Sequence, residues 1–254
     1  MALARVTWYI YVRNFKVWIR QPAVVLPGLL ISIFLFFVFG STFTELVQIP
    51  GFPSDDYTTF VMAMILIQAM VFSSGDAGFA LLTDMVSGYL DKLLLAPINR
   101  FAILMGTLLM AATRLLVSVV VIMGIGFGMG VTVESGVAGT LMVIFLATTF
   151  GVAWTCIGLI VVLKTKSAQA AQASFVLFFP AIFLTTSFMP RELLPGWFKV
   201  AVDVNPVNYI LEAIRVLIVE GWVWDTVLPG LGVLLGMLAL LMAATTYFYR
   251  QITA

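Results

Sequence analysis

The chain has 254 residues, of which 62% are apolar and only 10% are Asp, Glu, Lys or Arg. A soluble domain usually carries roughly 25% charged residues, so polar groups could not cover the surface of this chain, and we predict an integral membrane protein. The absence of histidine argues against His-based acid–base catalysis and a transition-metal site, and the single cysteine makes no internal disulfide. The net charge of +1 says little about partners.

The first segment, residues 1–21, is predicted to be an amphipathic helix at the membrane interface. Arg13, Lys16 and Arg20 are spaced three and four residues apart, so they share one helical face. Trp8, Val12, Phe15 and Ile19 form an apolar face. A helix with this division lies in the interface plane and does not cross the bilayer.

Six apolar runs are long enough to cross the membrane, because about 20 helical residues span about 30 Å of hydrocarbon. The predicted transmembrane helices are Ala23–Gly40, Tyr57–Ala80, Phe101–Val131, Val137–Leu163, Ala168–Phe188 and Val227–Tyr249. The fold class is therefore all-α integral membrane, with residues 1–254 forming a single transmembrane domain.

The charges of the connections predict the orientation of these helices. Lys and Arg accumulate in cytoplasmic loops, and most basic residues fall into the N-terminal segment, two alternate connections and the C-terminal tail. These residues are Arg5, Arg13, Lys16, Arg20, Lys92, Arg100, Lys164, Lys166 and Arg250. The pattern predicts a multi-pass protein of the cell membrane with both termini in the cytoplasm.

The cytoplasmic segment 82–100 differs from a short polar loop because it carries a helical pattern. Met85, Tyr89 and Leu93 are four residues apart, and Pro97 forces a stop before the third transmembrane helix. The segment could simply connect two membrane-spanning helices. It could equally dock its apolar face into a groove of a cytoplasmic partner.

On the opposite side, residues 189–225 are apolar but carry several charges and prolines. A lipid-facing span would bury Asp203, Glu212 or Arg215 at about 2.5–3.5 kcal/mol each. We therefore predict two short outer re-entrant helices, broken at Asn205–Pro206, because broken backbone at membrane depth needs cover from protein or a water-filled cavity.

Four polar residues within the predicted spans are candidates for a substrate pathway: Gln68, Arg114, Gln169 and Gln172. Arg114 could contact an anionic substrate headgroup, or it could pair with a carbonyl or an acid inside the helix bundle. The glutamines could line a polar pathway or join helices by hydrogen bonds.

The order of these elements resembles the permease family of type-2 ABC transporters, which export drugs, lipids and polysaccharides. Two stretches carry the resemblance. The first is a coupling helix at 82–100, and the residues assigned to ATPase coupling are Asp84, Gly88, Tyr89, Leu90, Asp91, Leu94 and Pro97. The second is the outer segment, with Phe188, Pro190, Pro195, Trp197, Asn205, Pro206 and Arg215. One departure is Thr83–Asp84, which stands where the family has an acidic–basic pair.

The resemblance implies an ATP-driven exporter of an amphiphilic drug, lipid or lipid-linked glycan. The chain has no Gly-x-x-x-x-Gly-Lys-(Ser/Thr) phosphate loop, so ATP and Mg are expected on a separate ABC ATPase subunit. This chain is expected to be no enzyme and to hold no cofactor or metal. Its partners would be the ATPase, a second identical or similar permease, and membrane lipid, but no nucleic acid.

Two other classes remain as alternatives. An ion-coupled transporter or channel commonly places paired acids at the midplane, but only Asp76 falls within a predicted span. A membrane enzyme would need catalytic groups of the kind that histidine or clustered carboxylates supply. Copurification of a stoichiometric ATPase separates the exporter from both.

Overall fold

The computed structural model describes residues 3–20, 22–50, 52–96, 98–167, 170 and 176–253, and these residues are helical without a β-strand. The helices are α1 Leu3–Ile19, α2 Pro22–Thr42, α3 Tyr57–Ser74, α4 Asp76–Val86, α5 Tyr89–Leu95, α6 Arg100–Gly128, α7 Gly136–Thr165, α8 Phe178–Phe183, α9 Gly196–Val204, α10 Pro206–Val219 and α11 Trp224–Thr253. Short 3₁₀ turns cover Thr44–Gln48 and Arg191–Leu193.

Four helical stretches among the described residues are long and apolar enough to cross a membrane. They are Tyr57–Val86, Arg100–Gly128, Gly136–Thr165 and Trp224–Gln251, and a shorter apolar helix covers Leu26–Thr42. The four long stretches overlap the second, third, fourth and sixth predicted spans, and the shorter helix overlaps the first. Residues 168, 169 and 171–175 of the fifth predicted span lie outside the described residues, and its described part is helical over Phe178–Phe183. The count of six therefore stays a prediction.

Helix α3 forms the centre of the bundle, and α2, α6, α7 and α10 pack around it. Almost every α3 residue from Tyr57 to Val71 is buried, including Phe60 and Met70. The outer helices instead expose large apolar side chains, such as Leu116 on α6 and Leu240 on α11. An apolar core inside an apolar exterior is the arrangement that lipid requires of a helical membrane protein.

Helix α1 packs against the bundle through a face that the sequence analysis did not identify, while its predicted lipid-facing side stays a prediction. Helix α1 buries Val6 and Ile10, whereas Trp8 and Ile19 remain more than half exposed. The reason is a close approach to α6 at Gly106, where an added Cβ would lie 2.7 Å from the Ile10 Cβ. Because α1 packs along α6, the face opposite that glycine is exposed, whatever its polarity.

The coupling helix predicted at 82–100 is divided between two helices in the structure. Residues 82–86 end α4, which continues the second span beyond its predicted end at Ala80 after a turn at Gly75. The chain then breaks at Ser87–Gly88 before α5 begins. Gly88 has φ +68°, a left-handed conformation that ends helices and favours glycine.

The predicted break of the outer segment at Asn205–Pro206 is confirmed. Helix α9 ends at Val204 and α10 begins at Pro206, while the Asn205 side chain accepts a hydrogen bond from the Val207 N–H at 3.0 Å. Proline at the first helical position sacrifices no hydrogen bond, and asparagine is a favoured N-cap. Helix α10 is buried along most of its length, in contact with α3, α7 and α11.

Candidate functional site

Helix α5 is anchored to the bundle by apolar side chains. Leu90 is 4% exposed and lies in an apolar cluster with Leu81 of α4, Leu104 of α6 and Leu163 of α7. Leu93 is partly buried against the same cluster, which also contains Tyr249 from α11. A force applied to α5 would therefore reach α4 directly and α6, α7 and α11 through the cluster.

The coupling segment is also tied to the N-terminal helix. The two guanidinium nitrogens of Arg13 donate to the two carboxylate oxygens of Asp84, at 2.7 and 2.6 Å. The same guanidinium lies over the Tyr89 ring, 3.9 Å from its centroid. The hydrogen bond to Asp84 raises the pKa of Arg13 above its ordinary value, so the guanidinium keeps its charge. Arg13 thus contacts both Asp84 and Tyr89, which lie on either side of the break at Gly88.

Four other side chains of the segment point outward. Val86 and Leu95 are 81% and 87% exposed, and Asp91 and Lys92 lie exposed between them. We call these four residues the coupling face. The Leu94 side chain and Pro97, also predicted to act in coupling, lie outside the described residues. Exposed apolar side chains of this kind occur both at protein interfaces and at membrane surfaces.

Arg114 lines a cavity of about 300 Å³ between α1, α4 and α6. Arg114 itself is only 7% exposed. Arg13, Asp84 and Asn14 line the same cavity, so the N-terminal helix, the coupling segment and the intramembrane arginine meet at one place. The rest of the lining is mostly apolar and includes Trp18.

The predicted pathway residues are not brought together in the described part of the chain. Gln68 is buried in the central cluster on α3 and does not line the Arg114 cavity. Gln169 and Gln172 lie outside the described residues, as does the side chain of Asp76.

A second polar centre lies at the other end of the bundle, around Arg215. This residue is 4% exposed, and its guanidinium donates to the Glu212 carboxylate at 2.7 Å and to the Thr186 carbonyl at 2.7 Å. It also lies 4.0 Å from the centroid of the Phe60 ring on α3. Asn208 accepts a hydrogen bond from the Thr186 N–H at 2.9 Å. The network satisfies a buried charge, as low-polarity surroundings demand.

A mixed-charge cavity of about 310 Å³ opens beside this network, lined by Pro190, Arg191 and Glu212 among others. At its rim Arg191 donates to Asp203 at 2.8 and 2.6 Å. That hydrogen bond lowers the pKa of the Asp203 carboxyl below its usual value. Asn205 donates to the carbonyls of Ala181 and Leu184, at 2.7 and 2.8 Å.

The other residues of the outer motif have structural positions. Phe188 packs edge-on to Phe39 and accepts a hydrogen bond at its carbonyl from the Tyr57 hydroxyl at 3.5 Å. Pro195 precedes the first turn of α9, and Trp197 in that turn is 69% exposed. The motif therefore fixes the outer helices against α2 and α3 and exposes one aromatic side chain.

Two interactions were missed by sequence reasoning, the Arg13–Asp84 pair and the contacts of Thr186. The first joins residues 71 positions apart, and nothing in a single sequence signals it. Thr186 belongs to the network around Arg215, and one part of that network had a signal in the sequence. Glu212 and Arg215 are three residues apart on a helix, a spacing that favours an ion pair. Thr186 could not have been identified from such spacing.

Comparison with known proteins agrees with this geometry. Residues 5–219 match the family described as ABC-2 type transporter. A daunorubicin resistance ABC transporter permease protein, DrrB1 of Streptomyces coeruleorubidus, is 27% identical over 232 residues, which cover 90% of this chain and 78% of that protein. A putative transport permease, ycf38 of Cyanophora paradoxa, is 26% identical over 205 residues, 78% of this chain and 69% of that protein.

A third relative is a probable doxorubicin resistance ABC transporter permease protein, DrrC of Mycobacterium tuberculosis. It is 25% identical over 221 residues, which cover 87% of this chain and 77% of the relative.

Proposed function

Because the chain belongs to the ABC-2 type transporter family, we propose that it is the membrane subunit of an exporter that moves an amphiphilic substrate out of the cytoplasm or the inner leaflet. The chain is a multi-pass permease subunit and no enzyme, and the ATPase of such a transporter is a separate subunit. The direction of transport, the substrate and the assembly are part of the proposal.

The observation that carries the proposal is the coupling face, Val86, Asp91, Lys92 and Leu95. It combines two strongly exposed apolar side chains with charges of both signs, and Leu90 fastens its helix to the bundle. A rigidly mounted apolar patch with a charged rim has the composition of a protein interface. The occupant that this family supplies is the ATPase.

The coupling contacts suggest how ATP would act. Closure of two ATPase subunits around ATP would displace α5, and Leu90 would pass that movement to α4, α6, α7 and α11. The Arg13–Asp84 pair would pass it to α1, which packs along α6 at Gly106. ATP needs only to bind more tightly to the closed arrangement for the population to shift.

The proposed orientation places both termini and the coupling face in the cytoplasm and the Arg215 network on the outer side. The positive charges of the N-terminal segment, 92–100, 164–166 and Arg250 support it. A second permease, identical or similar, would complete the pathway, with the substrate leaving past residues 189–225.

We further propose that the substrate is a drug or a lipid. The drug-resistance names of two relatives support this class. The charges at the rim of the outer cavity, Arg191, Glu192 and Glu212, would suit the polar part of such a molecule.

Copurification tests the proposal. The double variant Val86→Gln/Leu95→Gln removes the apolar part of the coupling face, and Val137→Gln/Val200→Gln is the matched control, since those valines are 81% and 64% exposed at the opposite end of the bundle. The ATPase recovered per permease should fall about tenfold in the first variant, because an apolar anchor at an interface contributes about 1–2 kcal/mol.

The control should retain the ATPase at the level of the unaltered protein. Equal recovery of the ATPase from both variants would show that the coupling face does not bind it. Transport that proceeds without any copurifying ATPase, driven by an ion gradient, would favour the secondary-transporter alternative.

A further inference from the structure

We propose that the cavity between α1, α4 and α6 is an entry site for amphiphilic molecules, other than bulk phospholipid, that are dissolved in the inner leaflet. The polar end of such a molecule accepts a hydrogen bond in the cavity, while its apolar remainder stays in the lipid. The inference rests on the proposed function for the orientation of the chain. It adds a binding site that is separate from the coupling face and from the outer cavity.

The lining of the cavity contains a hydrogen-bond donor without an acceptor. The indole N–H of Trp18 is buried and donates to no described residue. Buried polar groups in proteins nearly always have a partner, so such a group indicates a bound water molecule or a ligand. The Asn14 amide is a second donor, because its oxygen accepts from Arg13 at 3.2 Å while its nitrogen bonds to no described residue.

The hydroxyl groups of the lining already have acceptors. Thr83 and Thr107 each donate to the backbone carbonyl four residues earlier in their own helices, at 2.9 and 3.1 Å. Trp18 and Asn14 therefore supply neutral donors for a ligand. Their natural partner is an acceptor oxygen, such as that of a ketone, an ester or an ether.

The depth of the cavity corresponds to the inner leaflet. Met110 and Ala111 of α6 line it and are buried. Ala111 precedes the end of α6 at Gly128 by 17 residues, or about 26 Å at 1.5 Å per residue, within a hydrocarbon core of about 30 Å. In the proposed orientation, the cavity thus lies near the cytoplasmic boundary of the hydrocarbon, where the polar ends of amphiphiles collect.

The opening and the size of the cavity suit one end of an amphiphile. Val17 is 43% exposed and Ala80 is exposed, and both line the cavity, so it opens at the surface of the bundle. Its volume of about 300 Å³ is at the lower end for small-molecule sites, which measure about 300–1,000 Å³. The cavity therefore accommodates a polar end and leaves an attached apolar chain outside.

Photolabelling of the purified full-length chain in phosphatidylcholine nanodiscs tests the site. The probe is octyloxybenzophenone, which carries a ketone oxygen on a photoreactive apolar body, and its label should map to α1, α4 and α6. Trp18→Phe should raise the probe concentration for half-maximal labelling about fivefold, as expected for one neutral hydrogen bond. Trp8→Phe is the matched control and should not, because Trp8 is 57% exposed on the same helix and does not line the cavity.

A competitor separates the hydrogen bond from apolar binding. Octyloxydiphenylmethane differs from the probe only by a methylene group in place of the ketone. Its half-inhibitory concentration should be about five times the concentration at which the probe half-saturates the unaltered protein. Equal affinity of the two compounds would contradict the hydrogen bond on which the proposal depends.

A second variant keeps the test decisive if Trp18→Phe folds poorly. Ala80→Leu narrows the cavity from an exposed position and keeps both donors, and it should also weaken labelling. Wild-type labelling in both variants would overturn the proposal, and so would a label that maps outside the three helices. Labelling that fails to saturate would assign the cavity to bulk phospholipid and would also overturn it. Since no ATPase is needed, failure here is distinct from failure of the exporter assignment.

Discussion

The Arg13–Asp84 pair is predicted to couple the N-terminal helix to the coupling segment, and a double-mutant cycle measures that coupling. The perturbations are Arg13→Ala, Asp84→Ala and both together. The two side chains are 33% and 22% exposed, so solvent screens them less than a surface pair, whose coupling is about 0.2–1 kcal/mol. Bidentate geometry strengthens the contact, and we expect a coupling energy of about 1–2 kcal/mol.

The cation–π contact between Arg13 and Tyr89 contributes a second, smaller energy that can be measured separately. The ring centroid lies 3.9 Å from the Arg13 guanidinium, a geometry that contributes about 0.5–1 kcal/mol at partly exposed sites. Tyr89→Leu should therefore cost less than either charge deletion, and its effect should vanish in an Arg13→Ala background.

Two readouts apply to the cycle. The first is the free energy of unfolding in mixed detergent micelles, from which the coupling energy follows. The second is the number of substrate molecules transported per ATP hydrolysed in proteoliposomes, which should fall in both single variants while the ATPase remains bound. Additive effects within about 0.5 kcal/mol together with unchanged transport per ATP would refute the idea that the pair transmits movement to α1.

Three further predictions concern the turn, one helix cap and the outer network. Gly88→Ala should destabilise the protein by about 1 kcal/mol and Gly88→Asn by less, because φ at Gly88 is +68°. No atom lies within 4 Å of an added Cβ, so the cost comes from the backbone alone. An unchanged melting temperature of Gly88→Ala would contradict this. Burial alone would raise the pKa of Asp56, but hydrogen bonds from Thr59 and Thr58 outweigh it and lower the pKa; this cap of α3 should therefore stabilise by about 1 kcal/mol above about pH 5 and lose that contribution as pH falls below about 4. Asp56→Asn should keep a cap without the pH dependence, and identical acid profiles of the two proteins would count against the assignment. Arg215→Met should cost about 3 kcal/mol by leaving Glu212 and the Thr186 carbonyl without their donor, more than Arg191→Met at the exposed pair with Asp203; equal melting temperatures of the two variants would show that the buried network contributes little.

The sequence indicated the long helices well because each depends on a local property, a run of apolar residues of membrane length. The break at Asn205–Pro206 could also be predicted, since proline has no backbone N–H to donate within a helix and asparagine caps the helix that follows. These features require no knowledge of what the segment packs against.

The contact of α1 with the bundle could not be predicted in this way. It depends on the approach of Ile10 to Gly106 of α6, which joins residues far apart in the sequence. The break at Gly88 was missed for a related reason. The apolar spacing of Met85, Tyr89 and Leu93 suits a continuous helix, but the positive φ of one glycine ends it.

The polar centres depend on contacts between distant parts of the chain. Arg114 was predicted to belong to a substrate pathway with Gln68, and its cavity contains Arg13 and Asp84 and not Gln68. Arg215 was assigned to the outer motif, while its burial with Thr186 and Phe60 follows from packing that only the folded chain reveals.

The central claim is that a separate ATPase docks on the coupling face and drives this permease. Site-specific photo-crosslinking in intact cells tests it most directly, with the photoreactive residue placed at Leu95 and, as the control, at Trp197, which is 69% exposed at the opposite end. The account predicts that Leu95 crosslinks to a protein carrying a phosphate-loop ATPase sequence, identified by mass spectrometry, and that Trp197 does not. No ATPase crosslink from Leu95, or an equal one from Trp197, would contradict it.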